Sequence, residues 1–318
     1  MLLIVNPNAT AYSETFIANQ VLFLQPGKML TGGWSPYVDE KGRSIFRGLL
    51  SVNVWRGLCR KLLPALYTSL YKTALIRFVR ENKITHILVE YGVTGVNITK
   101  ALETEPVRIV VHFHGFDAYY PELINDKAML ELLFKRADAI VAVSNDMHNQ
   151  LLDLGAVPDK TVVIPYGVDF TKFRPDESRD IHQDRIVLYV GRFTAKKRPD
   201  YTIRSFAALL ERVPDVRLVM AGAGELLEES KTLAVELGVD GKIEFTGAIP
   251  HTEVEQWMKK SWCFTQHSVI SEEGDREGTP NSILEAQAMK LPVVSTRHEG
   301  IKEAVVENVT GFLVDEHD

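Results

Sequence analysis

Short apolar runs alternate with longer helical patterns along almost the whole 318-residue chain. Several runs are continuously apolar, which is typical of parallel strands covered on both faces. Strands are predicted at 2–6, 84–92, 107–115, 139–144 and 161–167, and in a second series at 185–193, 216–224, 242–249, 263–268 and 291–296. Helices are predicted within the second series at 198–212, 225–237, 252–260 and 280–290. The repeated β–α–β pattern predicts an α/β protein with two doubly wound, Rossmann-like domains.

The stretch from 166 to 185 separates the two series. It reads YGVDFTKFRPDESRDIHQDR, which is rich in charged and turn-forming residues and poor in periodic apolar ones. This composition is typical of an interdomain linker. We therefore predict two domains, 1–165 and 186–318, that face each other across a cleft. Because ligands of such sheets bind at the carboxyl ends of the strands, site residues are expected directly after strands.

The overall charge and the cysteines narrow the class of protein. A net charge of −6 argues against a protein that coats nucleic acid. Cys59 and Cys263 are too few for a disulfide framework or a cysteine-rich metal site, and they fit the reducing cytoplasm. The N-terminal apolar run has no basic region before it, and no uncharged stretch approaches about 18 apolar residues. Neither a signal peptide nor a membrane-spanning helix is therefore expected.

One segment, 41–80, carries nine basic residues and no acidic one. These are Lys41, Arg43, Arg47, Arg56, Arg60, Lys61, Lys72, Arg77 and Arg80. Much of the segment is apolar between its charges. A basic amphipathic surface that contacts anionic lipid at the inner face of the membrane is one interpretation. The preferred interpretation is a helix pair packed into the core with a solvated basic face.

Two motifs that follow strands of the second series carry candidate phosphate ligands. VLYVGRFTAKKR places Arg192 and Lys197 beyond a strand, and a guanidinium with an ammonium is suited to a diphosphate. The alternative is a cation cluster at a helix start without a ligand. VMAGAGEL offers a glycine-rich turn with Gly222 and Gly224 before Glu225. It lacks the continuation of a dinucleotide fingerprint, which disfavours a nicotinamide dehydrogenase.

The third motif, EGTPNSILE at 277–285, predicts the start of a helix. Thr279 is expected as the N-cap and Pro280 as the first helical residue. Free backbone N–H groups at a helix start favour a bound anion. The carboxylates of Glu277 and Glu285, which bracket this start, would repel an anion.

In the first domain, VVHFHGFD ends a strand with His112, His114 and Asp117. Strand alternation places both histidines on one face, where they are either structural or in contact with substrate. A metal site would need a third ligand that the sequence does not fix, so no metal is predicted. The loop NPNATAYSETFI is either a helix cap around Ser13 and Thr15 or a wall of the cleft.

Together these motifs resemble the retaining glycosyltransferases of family four, which have the two-domain GT-B fold and use nucleotide-sugar donors. EGTPNSILE matches the family's E-x7-E pattern. Similarity to the family's successive blocks, in order, is carried by HFHGFD, FKRADAIVAVSNDMHNQLLDLG, KTVVIPYGVDFTKF, YVGRFTAKKRPD, MAGAGEL, FTGAIPHTEVEQWM and EGIKEAVVENVTGFLV. The similarity covers most of 84–318. YSETFI is similar to the opening of a subgroup that builds bacterial exopolysaccharides of the colanic-acid type.

The resemblance implies a role for each candidate. The donor diphosphate would be bound by Arg192, Lys197, Gly278, Thr279, Pro280 and Asn281. The ribose would be bound by Glu285, and the nucleotide pocket would include Gly222, Gly224 and Glu225. The catalytic residues at the transferred sugar would be Glu277 and His114, and the acceptor side would include Ser13, Glu14 and Asp117. The donor would be UDP- or GDP-linked and the acceptor a glycan or lipid-linked hydroxyl, with no cofactor and no metal.

Two features depart from the family pattern. Arg198 replaces the glycine that usually follows the second-domain lysine, which adds charge near the phosphates. The chain stops at GFLVDEHD, before the helices with which family members close the second domain. The alternatives to a glycosyltransferase are a nucleotide-sugar epimerase of the same fold and a non-catalytic homologue that binds sugar nucleotides.

Overall fold

The computed structural model describes residues 1–9, 14–51, 53–175 and 185–318. The chain divides into two compact units, Met1–Ile164 and Pro165–Asp318. The predicted linker, 166–185, falls in the second unit, and its residues 176–184 lie outside the described ranges. Among the described residues, no helix is both long and apolar enough to cross a lipid bilayer.

The first unit is built on a 7-stranded sheet. Its strands are β1 (Leu2–Val5), β2 (Lys28–Thr31), β3 (Val38–Asp39), β4 (His86–Glu90), β5 (Arg108–His112), β6 (Ala139–Ala142) and β7 (Thr161–Val163). They lie in the order β3-β2-β1-β4-β5-β6-β7. All neighbours are parallel except β2 and β3, which pair antiparallel at one edge. The strand order reverses between β1 and β4, so the loops after these two strands border a switch point.

Helices connect these strands. They are α1 (Thr15–Leu24), α2 (Asn53–Leu62), α3 (Pro64–Glu81), α4 (Gly92–Ala101), α5 (Pro121–Ile124), α6 (Lys127–Arg136) and α7 (Asn145–Asp153). Side-chain caps fix two of the starts: Asp126 accepts the Met129 N–H at 3.1 Å, and Ser144 accepts the Met147 N–H at 3.2 Å. At α3, Pro64 occupies the first helical position, where its missing N–H costs no helical hydrogen bond.

The second unit is built on a 6-stranded, fully parallel sheet. Its strands are β8 (Ile186–Val190), β9 (Arg217–Ala221), β10 (Ile243–Gly247), β11 (Cys263–Gln266), β12 (Val293–Thr296) and β13 (Gly311–Val314). The order β10-β9-β8-β11-β12-β13 is that of the Rossmann fold, with its switch point between β8 and β11. Leu188, Val219 and Phe264 lie in the core of this unit, where they are fully buried. Burial on both sheet faces explains why these strands read as continuous apolar runs.

The helices of the second unit are α8 (Pro199–Leu210), α9 (Leu227–Glu236), α10 (His251–Lys260), α11 (Asn281–Ala288) and α12 (Ile301–Ala304). The predicted helices match α8 to α11 to within two residues at each end. The predicted start of α11 is wrong in detail. Pro280 has an extended ψ of 126° and is itself the N-cap, so the helix begins at Asn281 and Thr279 does not cap it. The Pro280 carbonyl accepts the Ile283 N–H at 3.1 Å.

Each predicted strand corresponds to a strand of the structure, but most end earlier than predicted. The chain leaves the sheet at the glycines that follow β8 and β9 and, after β5, at Phe113 and the polar residues beyond it, so these residues form loops at the carboxyl end. The strands β2, β3 and β13 are not in the prediction. They are two to four residues long, and the sequence of β2, KMLT, begins and ends with polar residues.

The basic segment contains α2 and α3, which differ in their packing. Tyr67, Tyr71 and Leu75 of α3 are buried, as the prediction of a core-packed helix requires. On α2, however, the buried residue is Arg56, whose guanidinium lies 3.7 Å from the centroid of the Tyr37 ring. This stacking turns the opposite, apolar side of α2 towards solvent. The prediction of a core-packed helix pair is therefore wrong for α2.

Candidate active site

The loop from 191 to 198 follows β8 at the switch point and carries four cations. A single 3₁₀ turn, Ala195–Lys197, places Lys196 and Lys197 inside the unit, where both side chains are buried. Arg192 stays exposed, and its carbonyl accepts the hydroxyl of the buried Tyr189 at 2.9 Å. The sequence predicted Arg192 and Lys197 at this position but not the participation of Lys196.

Lys197 is held between two neighbours. Its Nζ donates to Gln266 Oε1 at 2.8 Å and lies 2.9 Å from Glu277 Oε2. Burial lowers the pKa of Lys197 to about 8, while the charge of Glu277 acts in the opposite direction. Gln266, at the end of β11, also donates to the Val190 carbonyl at 2.7 Å. The amide therefore ties the ends of β8 and β11 together and orients the ammonium.

Lys196 points to the loop that follows β11. Its Nζ donates to Asp275 Oδ1 and to the Arg276 carbonyl, each at 3.0 Å, and lies 3.9 Å from Glu277 Oε2. Burial alone would raise the pKa of Glu277, but the charges of Lys197 and Lys196, with a smaller contribution from Arg192, outweigh it and hold the pKa at about 2. Glu277 is therefore an ionised carboxylate within a cluster of three cations.

The backbone of Glu277 is fixed by a second network, which the sequence did not predict. The Glu277 N–H donates to His298 Nε2 at 3.0 Å, and His298 Nδ1 lies 2.6 Å from Glu316 Oε1. Since Nε2 accepts, the proton of the imidazole must be on Nδ1, where Glu316 binds it. The other oxygen of Glu316 accepts the Ile270 N–H at 3.0 Å. Glu316, which follows β13, thus fixes the loop after β11 at two points, directly at Ile270 and through His298 at Glu277.

The start of α11 follows Glu277 directly. Gly278, Thr279 and Pro280 are buried, and Asn281 is the first helical residue. Glu285 lies one turn further along α11 and is also buried. Burial raises its pKa to about 7, and His251 Nδ1 lies 3.9 Å from Glu285 Oε1. The two glutamates of the motif therefore have opposite electrostatic environments, and only Glu277 is brought together with the cations.

The glycine-rich turn after β9 packs on the cation-bearing loop. A Cβ at Gly222, where φ is +148°, would lie 1.8 Å from the Gly191 carbonyl oxygen. A Cβ at Gly224 would lie 2.3 Å from the Phe193 carbonyl oxygen. The Phe193 N–H donates to the Ala223 carbonyl at 3.0 Å. These glycines therefore permit close backbone contact between the two loops. Glu225, which follows them, is exposed.

Arg198, the residue that departs from the family pattern, does not extend the cation cluster. Its φ is +38°, a conformation that favours glycine and that explains the usual residue here. Its guanidinium donates to both oxygens of Asp200, at 2.9 and 2.7 Å, and lies 4.0 Å from the centroid of the Tyr201 ring. The extra positive charge is thus neutralised locally.

In the first unit, His114 belongs to a buried cluster with His112 and Glu90. His114 Nε2 lies 2.9 Å from Glu90 Oε2, His112 Nδ1 lies 3.3 Å from the same oxygen, and the two imidazole rings are 4.4 Å apart. Burial lowers the pKa of His114 to about 4. Burial would raise the pKa of Glu90, but hydrogen bonds from His112 and His114 hold it at about 2. A neutral His114 therefore donates to an ionised Glu90.

This cluster contains the third ligand that the sequence did not fix. The ligand atoms of Glu90, His112 and His114 all lie within 4.8 Å of one another, so they can also coordinate a metal ion. The absence of a metal from the reaction stays a prediction. Glu90 ends β4, the strand beside β5, and this neighbouring position in the sheet is the signal that would have identified it.

The predicted acceptor-side residues are in different environments. Asp117 is fully buried, and its carboxylate accepts the N–H groups of Gly92 and, at 2.7 Å, His114, so it shapes the loop after β5. Glu14 precedes α1 as its N-cap residue and accepts the Tyr91 hydroxyl at 2.8 Å. Ser13 lies outside the described residues, so its predicted role has no structural test.

The second unit combines the Rossmann strand order with three cations and a carboxylate at its switch point. This is the usual make-up of α/β enzymes that bind nucleotides at the carboxyl ends of their strands. Models of two protein families match successive parts of the chain: Glycosyltransferase Family 4 matches residues 31–172, and Glycosyl transferases group 1 matches 171–318.

Related sequences and solved structures agree with these matches. The putative colanic acid biosynthesis glycosyltransferase WcaL of Escherichia coli K12 is 30% identical over 96% of this chain and 84% of its own length. The amylovoran biosynthesis glycosyltransferase AmsK of Erwinia amylovora is 28% identical over 73% of this chain and 58% of its own length. Anabaena Alr3699/HepE, solved with UDP, superimposes with a TM-score of 0.74 at 17% identity, over 100% of this chain and 86% of that one. The chain belongs to glycosyltransferase family 4 and has the GT-B fold.

Proposed function

We propose that the protein is a retaining glycosyltransferase that moves a sugar from a nucleoside diphosphate sugar to a hydroxyl acceptor. The observation that carries the proposal is the cluster of Lys196, Lys197 and Arg192 around Glu277 at the switch point of the second sheet. Buried lysines cost free energy unless they are paired, and here Lys196 is paired with Asp275 and Lys197 with Glu277. With Arg192 the cluster has three positive charges against two carboxylates. A diphosphate would neutralise the excess.

Each group in the cluster would act on a different charge of the reaction. Breaking the sugar–phosphate bond leaves negative charge on the diphosphate, which Arg192, Lys197 and the N–H groups at the start of α11 would stabilise. The sugar develops positive charge, which the carboxylate of Glu277 would stabilise. With cations from the chain already at the leaving group, no metal is required there. We assign no protein nucleophile, and the leaving phosphate would act as the base.

The flanking residues would bind the rest of the donor. Glu285 would accept the ribose hydroxyls, and the turn at Gly222, Gly224 and Glu225 would border the nucleotide. His114, with its neutral ring held by Glu90, would act at the transferred sugar. No cofactor is needed beyond the nucleotide sugar itself.

The relatives support a class of substrates. WcaL and AmsK are named for the biosynthesis of colanic acid and amylovoran, which supports a role in cell-surface polysaccharide synthesis. HepE has been solved with UDP and with UDP-glucose, which supports a UDP-linked donor, with GDP as the alternative base. We propose a glycan or lipid-linked acceptor and a cytoplasmic location. Family membership leaves the epimerase alternative without support.

A donor panel tests the proposal. The full chain is incubated with UDP-, GDP- and ADP-sugars, with and without a lipid-linked or glycan acceptor, and free nucleotide and sugar products are measured. Release of nucleotide that depends on acceptor, with retention at the anomeric carbon, is the expected result. Interconversion of the donor would identify an epimerase instead. Binding without turnover would identify a non-catalytic homologue.

Paired variants test the site. Glu277→Gln should abolish transfer without weakening donor binding, because it removes the carboxylate and keeps the cations. Glu273→Gln, an exposed position in the same loop, is its control and should retain activity. Arg192→Ala should weaken donor binding, whereas Arg198→Ala should not, because Arg198 is paired with Asp200. Wild-type turnover in both Glu277→Gln and Arg192→Ala would overturn the site.

A further inference from the structure

The helix α2 presents its large apolar side chains to solvent. Val54, Trp55 and Leu62 are 76%, 51% and 63% exposed, and Leu58, Leu63 and Leu66 are also exposed. With 3.6 residues per turn, Val54, Trp55, Leu58 and Leu62 lie within roughly 100° of the helix circumference. They form one continuous stripe, which extends to the first turn of α3. We call this set the apolar stripe.

The fold enforces this orientation. Arg56, on the opposite side of α2, stacks on the Tyr37 ring, donates to the Leu50 carbonyl at 3.2 Å and is hydrogen-bonded to Asn53. Rotating α2 to bury the apolar stripe would expose this stacked guanidinium and break both hydrogen bonds. An exposed stripe of this size is unfavourable in water and marks a surface that another apolar phase covers.

The basic residues around the apolar stripe indicate that an anionic membrane covers it. The segment from 41 to 80 contains nine basic residues and no acidic one, although the whole chain carries a net charge of −6. Three of the nine, Arg43, Arg47 and Arg80, are paired with acidic residues outside the segment. Arg60 and Lys61 are exposed on α2, and Lys72 is exposed on α3. At about 100° per residue, Lys61 is adjacent to the apolar stripe, whereas Arg60 lies about 120° from its nearest member, on the side of Arg56. An apolar stripe containing Trp and bordered by basic residues is the pattern of a helix that lies in the interface of an anionic membrane.

We propose that α2 and the first turn of α3 bind the surface of an anionic phospholipid bilayer. The apolar stripe enters the boundary between headgroups and acyl chains, Lys61 beside it contacts lipid phosphates, and Arg60 and Lys72 add positive charge near the surface. The helix lies in the plane of the interface and does not cross it, since α2 is only 10 residues long. This surface would bring the chain to an acceptor that is linked to lipid.

Vesicle binding of the full chain tests the proposal. Sedimentation is compared for vesicles of phosphatidylcholine alone and of phosphatidylcholine with phosphatidylglycerol, at low and high salt. The chain should bind the anionic vesicles preferentially, and high salt should weaken the binding. Leu58→Glu with Leu62→Glu, and separately Arg60→Glu with Lys61→Glu, should each lower the partition coefficient by about tenfold or more. These side chains are exposed, so the substitutions leave the core unchanged.

Val235→Glu, at an exposed apolar position on α9, is the control and should bind vesicles like the wild type. UDP binding is measured in every variant and should be unchanged, so that a failed donor site is distinguished from a failed membrane surface. Equal binding to both kinds of vesicle, or binding that the α2 variants leave intact, would overturn the proposal. A dimer in solution that Leu58→Glu with Leu62→Glu abolishes would also overturn it, since a second copy would then cover the stripe.

Discussion

The carboxylate of Glu277 is paired with Lys197, one of the cations proposed to bind the donor diphosphate. In the free protein this carboxylate is 2.9 Å from Lys197 Nζ, so a diphosphate must share or displace this contact. Glu277→Gln removes the competing charge. We expect the variant to bind free UDP about tenfold more tightly, which corresponds to about 1.4 kcal/mol, while transfer is lost. Isothermal titration with UDP measures the effect, and Glu273→Gln should behave like the wild type. Weaker UDP binding by the variant would show that Glu277 supports the phosphates.

Glu285 combines burial with a proposed hydroxyl-binding role, which makes nucleotide binding sensitive to pH. Its pKa is raised to about 7 in the free protein, and hydrogen bonds from a ribose diol would favour the ionised form and lower the pKa again. Below pH about 7, binding of UDP should therefore release a fraction of a proton from Glu285. Titration calorimetry in buffers of different ionisation enthalpy measures the release. Glu285→Gln should abolish it, and identical release by the variant would contradict the assignment.

Residue types in the site were predictable because their chemistry is visible in the sequence, but their partners were not. Arg192, Lys197 and Glu277 follow strands, and the Rossmann order brings those strand ends to one place. Lys196 and Gln266 gave no separate signal. The 3₁₀ turn at Ala195–Lys197 directs the side chains of both Lys196 and Lys197 into the unit, and the sequence does not predict this turn. This local geometry is set by tertiary contacts.

Two elements distant in sequence position the loop that carries Glu277. His298 follows β12 and Glu316 follows β13, and together they bind the Glu277 and Ile270 N–H groups. Removal of the imidazole in His298→Ala frees the backbone of Glu277. We expect kcat to fall by about ten- to hundredfold with a small change in the KM for donor, because the lysines that bind phosphate stay in place. Steady-state kinetics with varied donor measures the split.

Variants of Glu316 separate positioning from general loss of structure. Glu316→Gln can keep the oxygen that accepts the His298 Nδ1 proton but loses the second acceptor at the Ile270 N–H. It should therefore retain more activity than Glu316→Ala, which should reproduce the loss in His298→Ala. An unchanged kcat in His298→Ala would show that the network is dispensable.

Elements were predicted best where their pattern is strong. The buried parallel strands and α8 to α11 have long apolar or amphipathic repeats, and these were found. The short strands β2, β3 and β13 were missed because a pairing of two to four residues is decided by a neighbouring strand. At α11, the sequence marked the right place, but Pro280 took the N-cap position in place of Thr279.

For the molecule as a whole, the two-unit α/β architecture follows from the repeated strand–helix pattern, whereas the orientation of α2 does not. Periodicity identifies an amphipathic helix but does not say which side faces the protein. The stacking of Arg56 on Tyr37, residues 19 positions apart in sequence, determines that side. Long-range contacts of one cationic side chain thus reversed the preferred prediction for this segment.

The two units contain matching sets of buried groups with shifted pKa values. Each unit has a glutamate held at about 2, a histidine lowered to about 4 and a carboxyl raised to about 7. These are Glu90, His114 and Asp117 in the first unit and Glu277, His267 and Glu285 in the second. The lowered glutamate and histidine stabilise the fold at neutral pH. The raised carboxyl stabilises it in acid.

These opposing contributions predict the pH dependence of stability. The stabilising contribution of the histidine is lost as pH falls from about 6.5 to 4. The contribution of the raised carboxyl is gained as pH falls from about 7 to 4.5. Because the two changes oppose each other, the free energy of unfolding should change little between pH about 4.5 and 6.5. As the pH falls from about 4.5 to about 2, the glutamates of the unfolded chain bind protons before those of the folded protein do, and each unit should lose about 3 kcal/mol over this range. Urea unfolding followed by circular dichroism measures the profile. Glu285→Gln should replace the plateau of the second unit with stability that rises with pH, and a plateau that persists in this variant would contradict the balance.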